Sequence, residues 1–426
     1  MEKLMYYIWQ HRLYSCPEMK TTDGRSFEII DSGRPNPDSG PDFFNAKIRI
    51  GEHVWAGNVE IHLRSSDWLK HRHQNDKAYD SVILHVVGEA DCDIFRTDGE
   101  AIPQWEMPCS ARFRDEYVRF VDGKDPLPCA SSLAGLPPLF LSDWKSALSI
   151  ERLEQKSQRI LDWVDQYRGN WEEVCYLTLS RTLGFGANSD AFERLARSLP
   201  LHFLQKHADS LFQTEAFLFG QAGLLLPGAC PGDEYYGRLC DEYAFLKNKF
   251  SLTPVNGDSW KFFRLRPANF PHRRIALLAR MIHGGFSLFS RICEQTREKE
   301  FRSLFQTYPG GYWEHHYTFG RESTTLPGTL SRAAVDVLFI NTVAPLLYSY
   351  ALRTGNERYA DRAMRLLEQL RPEENRIIRC FRQNGIGAAN ALDSQALLQL
   401  HTAYCERRKC LYCRIGYRIF SRPELR

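Results

Sequence analysis

The chain has almost no excess of charge of one sign. Its 55 Lys and Arg stand against 52 Asp and Glu, for a net of +3 at neutral pH. A surface that attracts polyanions all over is excluded on that count, so a nucleic-acid partner has to be sought in local clusters of basic residues. Long apolar runs are missing too. The longest, Ala216 to Leu226 and Val335 to Leu347, are broken by polar residues and fall short of the roughly 20 residues of a membrane span. The start, Met1 to Trp9, reads as an amphipathic helix without the apolar core and small-residue cleavage site of a secretory leader. No fixed-period repeat is visible. The expectation is a cytoplasmic protein with no membrane partner. The oligomeric state is not written in the sequence.

What is present fits a filled interior. Hydrophobic residues make up 43% and aromatics 13%, which argues for packed cores over disorder. A length of 426 residues predicts two domains. The 12 cysteines are scattered, mostly in apolar surroundings such as Val174-Cys175-Tyr176, and read as buried small hydrophobes in a reducing compartment.

Residues 1–122 predict a small α/β layer. An opening helix is followed by strand-like Lys47-Ile48-Arg49-Ile50, then by Val54 to Leu63 with a possible bulge at Gly57. Ser66-Asp67-Trp68 predicts a helix of about a dozen residues, capped by a side-chain oxygen. Ser81 to Val87 reads as a buried strand. The Gly- and Pro-rich stretch 123–142 is the expected linker, 143–400 a mostly α-helical domain, and 401–426 a Cys-rich basic C-terminal module. Helices are expected over Trp144 to Tyr167, Trp171 to Leu183, Asp190 to Leu199, Pro200 to Gly220, Pro271 to Glu294, Ser331 to Thr354 and Asn356 to Leu370.

The chemistry is concentrated in Gly40-Pro41-Asp42-Phe43 and Val59-Glu60-Ile61-His62. Asp42 stands at the mouth of one strand, and Glu60 and His62 share a face of the next. Two carboxylates converging from adjacent strands suit an oxygen-loving Mg or Mn ion, with the third group orienting or deprotonating water. Pro41, Asp42 and Glu60 resemble the PD-(D/E)xK nuclease superfamily, with His62 where that family has Lys. The resemblance covers about residues 1–90 and implies a central sheet flanked by helices and a metal-dependent nuclease site. Gln74 and Tyr79 loosely resemble the Gln and Tyr on the following helix of exonuclease members. A neutral imidazole in place of Lys could act as a base or bind a softer metal such as Mn or Zn.

Asp67, His71, His73, Asp76, Tyr79 and His85 crowd the next stretch. On a helix His71 and His73 lie about 200° apart and cannot face one ion. The reading is therefore a polar second shell, with His85 joining the site only if its strand face fronts Glu60. In the helical region, Arg264, Arg266, Arg273 and Arg274 lie in a stretch free of acids, next to a predicted helix start at Pro271, and are candidates to grip nucleic acid. Near the end, Cys405, Cys410 and Cys413 have knuckle spacing, with His401 or Cys380 as candidate fourth ligand. Zinc is the first expectation there and an iron–sulfur cluster the second, because some exonuclease relatives staple their domain with a C-terminal Cys cluster. Arg407, Arg408, Lys409, Arg414 and Arg418 are expected to lower the thiol pKa values.

These phrases, with Trp55-Ala56-Gly57-Asn58, Ser66-Asp67-Trp68, Arg266-Pro267-Ala268-Asn269-Phe270-Pro271 and Cys410-Leu411-Tyr412-Cys413-Arg414-Ile415-Gly416, also resemble over the whole chain a family of uncharacterised bacterial proteins. The expected function is a metal-dependent nuclease-like protein acting on or binding DNA or RNA. The alternatives are an inactive nucleic-acid-binding or scaffold protein on a degenerate nuclease fold, and a zinc-dependent small-molecule hydrolase using His62, His71, His73 and Asp76.

Overall fold

The computed structural model describes every residue except 15, 17, 124, 134, 325–327 and 423–426. It divides into two compact units, Met1–Leu136 with Leu400–Arg426, and Pro137–Gln399. The C-terminal Cys-rich stretch is thus part of the first unit and not a module of its own. The helical unit begins earlier than expected. Its first helix starts at Pro138, where a proline in the first turn forfeits no helical hydrogen bond.

In the first unit, α1 (Glu2–Gln10) buries Leu4, Met5, Tyr7, Ile8 and Trp9. Then come β1 (Phe27–Asp31), β2 (Arg34–Pro35), β3 (Phe43–Ile50) and β4 (His53–Arg64). The short α2 (Asp67–Lys70) precedes β5 (Val82–Glu89), β6 (Gln104–Glu106), α3 (Ala111–Val121) and α4 (Ala130–Leu133). The sheet runs β1-β3-β4-β5-β6, with β2 on β3. It is mixed: β3 is antiparallel to β1 and β4, and β5 is parallel to β4 and β6. Sequence pattern accounts for each strand's place. Along β3, buried and exposed residues alternate over most of its length, as expected for a strand with one face covered. From Val82 to Val87, β5 is buried on both faces, the pattern of an interior strand with parallel neighbours.

Gly57 is required by close approach. A Cβ there would stand 2.4 Å from Ile83 Cγ2 and 2.6 Å from the Ser81 carbonyl oxygen. The irregularity expected at this glycine falls one residue later, where the β4–β5 register shifts between Asn58 and Val59.

Among the described residues, the second unit is helical apart from its connections and one two-stranded ribbon, His316–Thr318 with Arg321–Glu322. It contains α5 (Pro138–Gln166), α6 (Trp171–Leu183), α7 (Ser189–Ser198), α8 (Leu201–Gln205), α9 (Leu211–Gln221), α10 (Glu234–Phe250) and α11 (Pro271–Ile282). Two expected helices are each split in two. Pro200 to Gly220 becomes α8 and α9. Pro271 to Glu294 breaks after Ile282, at Gly284 and Gly285, both with positive φ. One run, Arg332–Thr354, is long and apolar enough by length and composition to cross a membrane, which the sequence reading had not credited to it. Of its most apolar window 72% is buried inside the protein. Its Phe339 and Leu347 belong to the unit's main core, with Trp313 and Phe217.

Candidate metal centre

Four elements of the first unit build the site. Glu60 and His62, two apart on β4, point to one side of the sheet and are only 5% and 2% exposed. Their neighbour across the parallel ladder is His85 of β5, paired with Glu60 and fully buried. The face of His85 therefore does front Glu60. Asp42 sits just before β3, and the segment after α2 carries His71 and His73.

That segment is not the expected long helix. α2 ends at Lys70, and the Ser66 side chain makes no capping bond. Arg72 then takes a left-handed conformation (φ 61°) that folds the chain back before a single 3-10 turn, His73–Asn75. The reversal removes the 200° separation a helix would have imposed. His62, His71 and His73 come together with donor atoms all within 4.8 Å of one another. His62 Nε2 lies 3.1 Å from His71 Nδ1. Glu60 Oε1 lies 3.6 Å from His62 Nε2 and 3.5 Å from His73 Nε2. Donors at ~2.0–2.1 Å around a tetrahedral zinc are separated by about 3.4 Å, a spacing near these three distances, so the three histidines could hold an ion.

The surroundings fix which nitrogen is free. Gln104 Nε2 donates to the Cys92 carbonyl, which leaves Gln104 Oε1 to accept from His85 Nδ1 (3.3 Å). His85 Nε2 is then an acceptor, and His62 Nδ1–H donates to it over 2.8 Å. The lone pair of His62 Nε2 is thereby turned toward His71 and Glu60. Burial keeps the imidazoles neutral, lowering His62 to about 3, His73 to about 4 and His85 to about 4. His73 also stacks on Tyr79, with ring centroids 3.7 Å apart, and packs edge-on against Trp68.

The carboxylates are arranged differently from the expected metal-sharing pair. The Asp42 backbone N–H donates to Glu60 Oε2 (3.0 Å). Asp42 Oδ2 accepts from the Ile61 N–H (2.9 Å), and Oδ1 from the Tyr6 hydroxyl (2.8 Å). Asp42 thus braces Glu60 and is not part of the three-histidine donor group. Burial, then the nearby Asp42 charge, pushes Glu60 up to about 9, while burial takes Asp42 to about 6. A cation beside Glu60 would oppose that rise by favouring the charged carboxylate. Asp67 and Asp76 do local work: Asp67 accepts from the Arg64 N–H and Lys70, and Asp76 caps the turn at Ala78. Gln74 Oε1 is buried and unpartnered. Tyr6 and Gln104 escaped the sequence reading, since an aromatic on an amphipathic helix and a glutamine on a strand carry no motif.

Elsewhere in this unit Cys405, Cys410 and Cys413 line a small, mostly apolar cavity with a fourth cysteine, Cys129. His401 is not on its lining and faces Glu406. Cys380 belongs to the second unit. The expected lowering of the thiol pKa values is reversed. Burial, reinforced by the neighbouring thiols, pushes Cys129 up to about 12 and Cys410 to about 11, and raises Cys405 as well, against the smaller opposing pull of nearby arginines.

In the second unit Arg264 and Arg266 are exposed. Arg273 and Arg274 are not on the surface, being 5% and 4% exposed. Arg273 donates to the carbonyls of Trp313 and Gly328, and Arg274 to Asn269 while lying over the Phe185 ring. Neither is placed to grip a nucleic-acid backbone on an open face.

Residues 2–376 match the family described as "Protein of unknown function (DUF2851)", and the chain belongs to that family. No curated protein and no solved structure matches the chain.

Proposed function

We propose, from a family membership that assigns no activity, that the first unit is a metal-dependent hydrolase of phosphodiester bonds in DNA or RNA. The observation that carries this reading is the cluster of His62, His71 and His73, with the Glu60 carboxylate beside His62 and His73 and Asp42 held next to it from the neighbouring strand. Three imidazoles fit Zn or Mn better than Mg, which demands oxygens and keeps its waters, and they leave a position for a water beside Glu60, so Zn or Mn is proposed over Mg. When bound, such an ion supplies a Lewis acid and lowers the pKa of a coordinated water. The protein's own residues do the rest. His85 and Gln104 hold the ligand tautomer of His62. The Asp42 N–H holds Glu60, with Tyr6 fixing Asp42 in turn, and Glu60 takes the proton of the attacking water. The mixed sheet with flanking helices and the Asp42/Glu60 placement support a nuclease-like ancestry, with His62 in the position of the family's lysine.

A second reading, zinc-dependent hydrolysis of small esters or amides, is favoured by the nitrogen-rich donor set. The deciding experiment is cleavage of labelled single- and double-stranded DNA and RNA with Mg, Mn or Zn, alongside a panel of small chromogenic esters, comparing wild type with Glu60→Gln. Nucleic-acid cleavage by wild type alone supports the first reading. Turnover of small esters alone moves the assignment to the second. Equal activity in Glu60→Gln removes the site from both. We further propose a structural ion or cluster, zinc or iron–sulfur, held by Cys129, Cys405, Cys410 and Cys413, whose metal content is to be measured on the purified chain.

A further inference from the structure

α11 begins with an electrostatic contradiction. Its first turn has no acidic residue and carries Arg273 and Arg274 instead, at the positive end of the helix dipole. Both residues are at least 95% buried, and they are sequence neighbours. Among the described residues no carboxylate pairs with either one. The charge acting on Arg274 is that of Arg273, which joins burial in lowering it to about 10, and burial lowers Arg273 as well. Buried cations normally have a counter-charge, since desolvating an unpaired one costs several kcal/mol. Arg274 Nε is also buried with no hydrogen-bond partner. The carbonyls, Asn269 and Phe185 that touch these two side chains supply dipoles and a ring face but no charge.

Next to them is a cavity of about 290 Å³. Arg266, Arg273 and Arg274 line it, with Thr307, Tyr317 and Ser331 on the same wall. The Ser331 oxygen accepts from the Ala334 N–H, which leaves its own proton to donate into the space. Among the described residues the lining thus offers three cations and several hydroxyls and no acid. The volume is larger than a phosphate group and near the lower end of small-ligand pockets, ~300 Å³.

We propose that this cavity binds a phosphate monoester, with Arg273 and Arg274 as its buried anchors and Arg266 closing over it from the exposed side. Guanidiniums match the planar pairs of phosphate oxygens, and a dianion supplies the counter-charge that the first turn of α11 lacks. The site lies within the second unit and does not rest on the metal reading. The monoester is either the terminal phosphate of a nucleic-acid strand or a small free phosphorylated metabolite.

The test is binding by the full chain in phosphate-free buffer, read by calorimetry and thermal shift, on the Glu60→Gln background so that no cleavage intervenes. The probes are inorganic phosphate, a nucleoside 5′-monophosphate, and one oligonucleotide in 5′-phosphorylated, 3′-phosphorylated and unphosphorylated forms. The expected result is binding of phosphorylated probes only, weakened roughly 10- to 100-fold by Arg266→Glu. Arg266 is exposed, so this variant folds whether or not Arg274→Gln does. An end-phosphorylated oligonucleotide bound more tightly than the mononucleotide identifies a strand terminus, and equal or weaker binding identifies a free metabolite; both support the pocket. Absence of binding by every probe overturns the proposal. Equal affinity for phosphorylated and unphosphorylated strands, or for wild-type and Arg266→Glu pockets, overturns it too.

Discussion

Replacing His71 by Ala tests the metal centre with little risk to the fold, because His71 is the exposed member of the three. Its ring touches His62 and His73 and carries no core packing. The folding cost of the substitution is therefore within about 0.5 kcal/mol. Its cost to ion binding is far larger. Four-ligand zinc sites are worth ~10–16 kcal/mol in total, or about 3 kcal/mol per ligand, which corresponds to a loss of roughly 100-fold in affinity. At a free zinc concentration 100 times the wild-type Kd, binding stabilises the folded state by about 2.7 kcal/mol. A unit of this size then shows a rise in Tm of about 5–11 °C. For His71→Ala the same concentration is about equal to Kd, the stabilisation falls to about 0.4 kcal/mol, and the rise shrinks to about 1–2 °C. The assay is a thermal scan of both proteins, first stripped of metal at the histidines and then titrated with zinc or manganese. Metal taken up at the cysteines is common to both proteins and cancels in the difference. If His71→Ala shows the same metal-induced rise as wild type, the three histidines do not hold an ion and the proposed chemistry loses its basis.

Glu60→Gln is expected to lower the rate of hydrolysis by ~10²–10⁴ while leaving the far-UV circular dichroism unchanged, as measured by single-turnover cleavage. The pH dependence of metal-free stability has a definite sign. Glu60 is raised to about 9, so the folded state holds a proton the unfolded chain releases, and stability is lost as pH climbs from the ordinary glutamate range toward 9. The buried histidines are lowered, so stability is lost as pH falls below their ordinary 6.5. Tm should peak at about pH 7, where three lowered histidines balance one raised glutamate, and fall on both sides; Glu60→Gln should flatten the alkaline limb alone, and an unchanged alkaline limb would show that Glu60 is not the group responsible. Gly57→Ala forces a methyl group against Ile83 and the Ser81 carbonyl and should cost about 1–3 kcal/mol in urea unfolding, with a loss below 0.5 kcal/mol contradicting the tight β4–β5 contact. If the four cysteines hold the proposed metal, Cys129→Ser should release it as fully as Cys410→Ser does, by elemental analysis; full retention in Cys129→Ser would return the fourth position to another residue.

What could be read from the sequence was whatever repeats with the period of its own element. Alternation along Lys47 to Ile50 and the apolar run Ser81 to Val87 gave two strands of the sheet, and 3.6-residue periodicity located α6 to the residue. The pairing of Glu60 with His62 on one face followed from the same arithmetic. The signal failed where one residue's backbone decides the outcome. His71-Arg72-His73 looks helical by composition, yet a single left-handed turn at Arg72 converts two histidines facing apart into two facing one point. No periodic pattern encodes that turn, and arginine, with its Cβ, is not a residue that announces it. The second failure was one of distance along the chain. Cys129 joins Cys405, Cys410 and Cys413 only because Leu400 to the C-terminus returns to the first unit, and sequence spacing is blind to such a return. The third was charge. Arg273 and Arg274 look like surface cations until α11 is seen to bury one face almost completely, and their unpaired burial carries more information than their abundance did. In each case the candidate site lies where the fold overrides a local rule: a non-glycine residue at positive φ, a cysteine far from its partners, a pair of cations with no acid among the described residues. A fold maintains such exceptions against their energetic cost where a ligand offsets it, which is why the metal centre and the arginine cavity, and not the regular strands and helices, are the places to test.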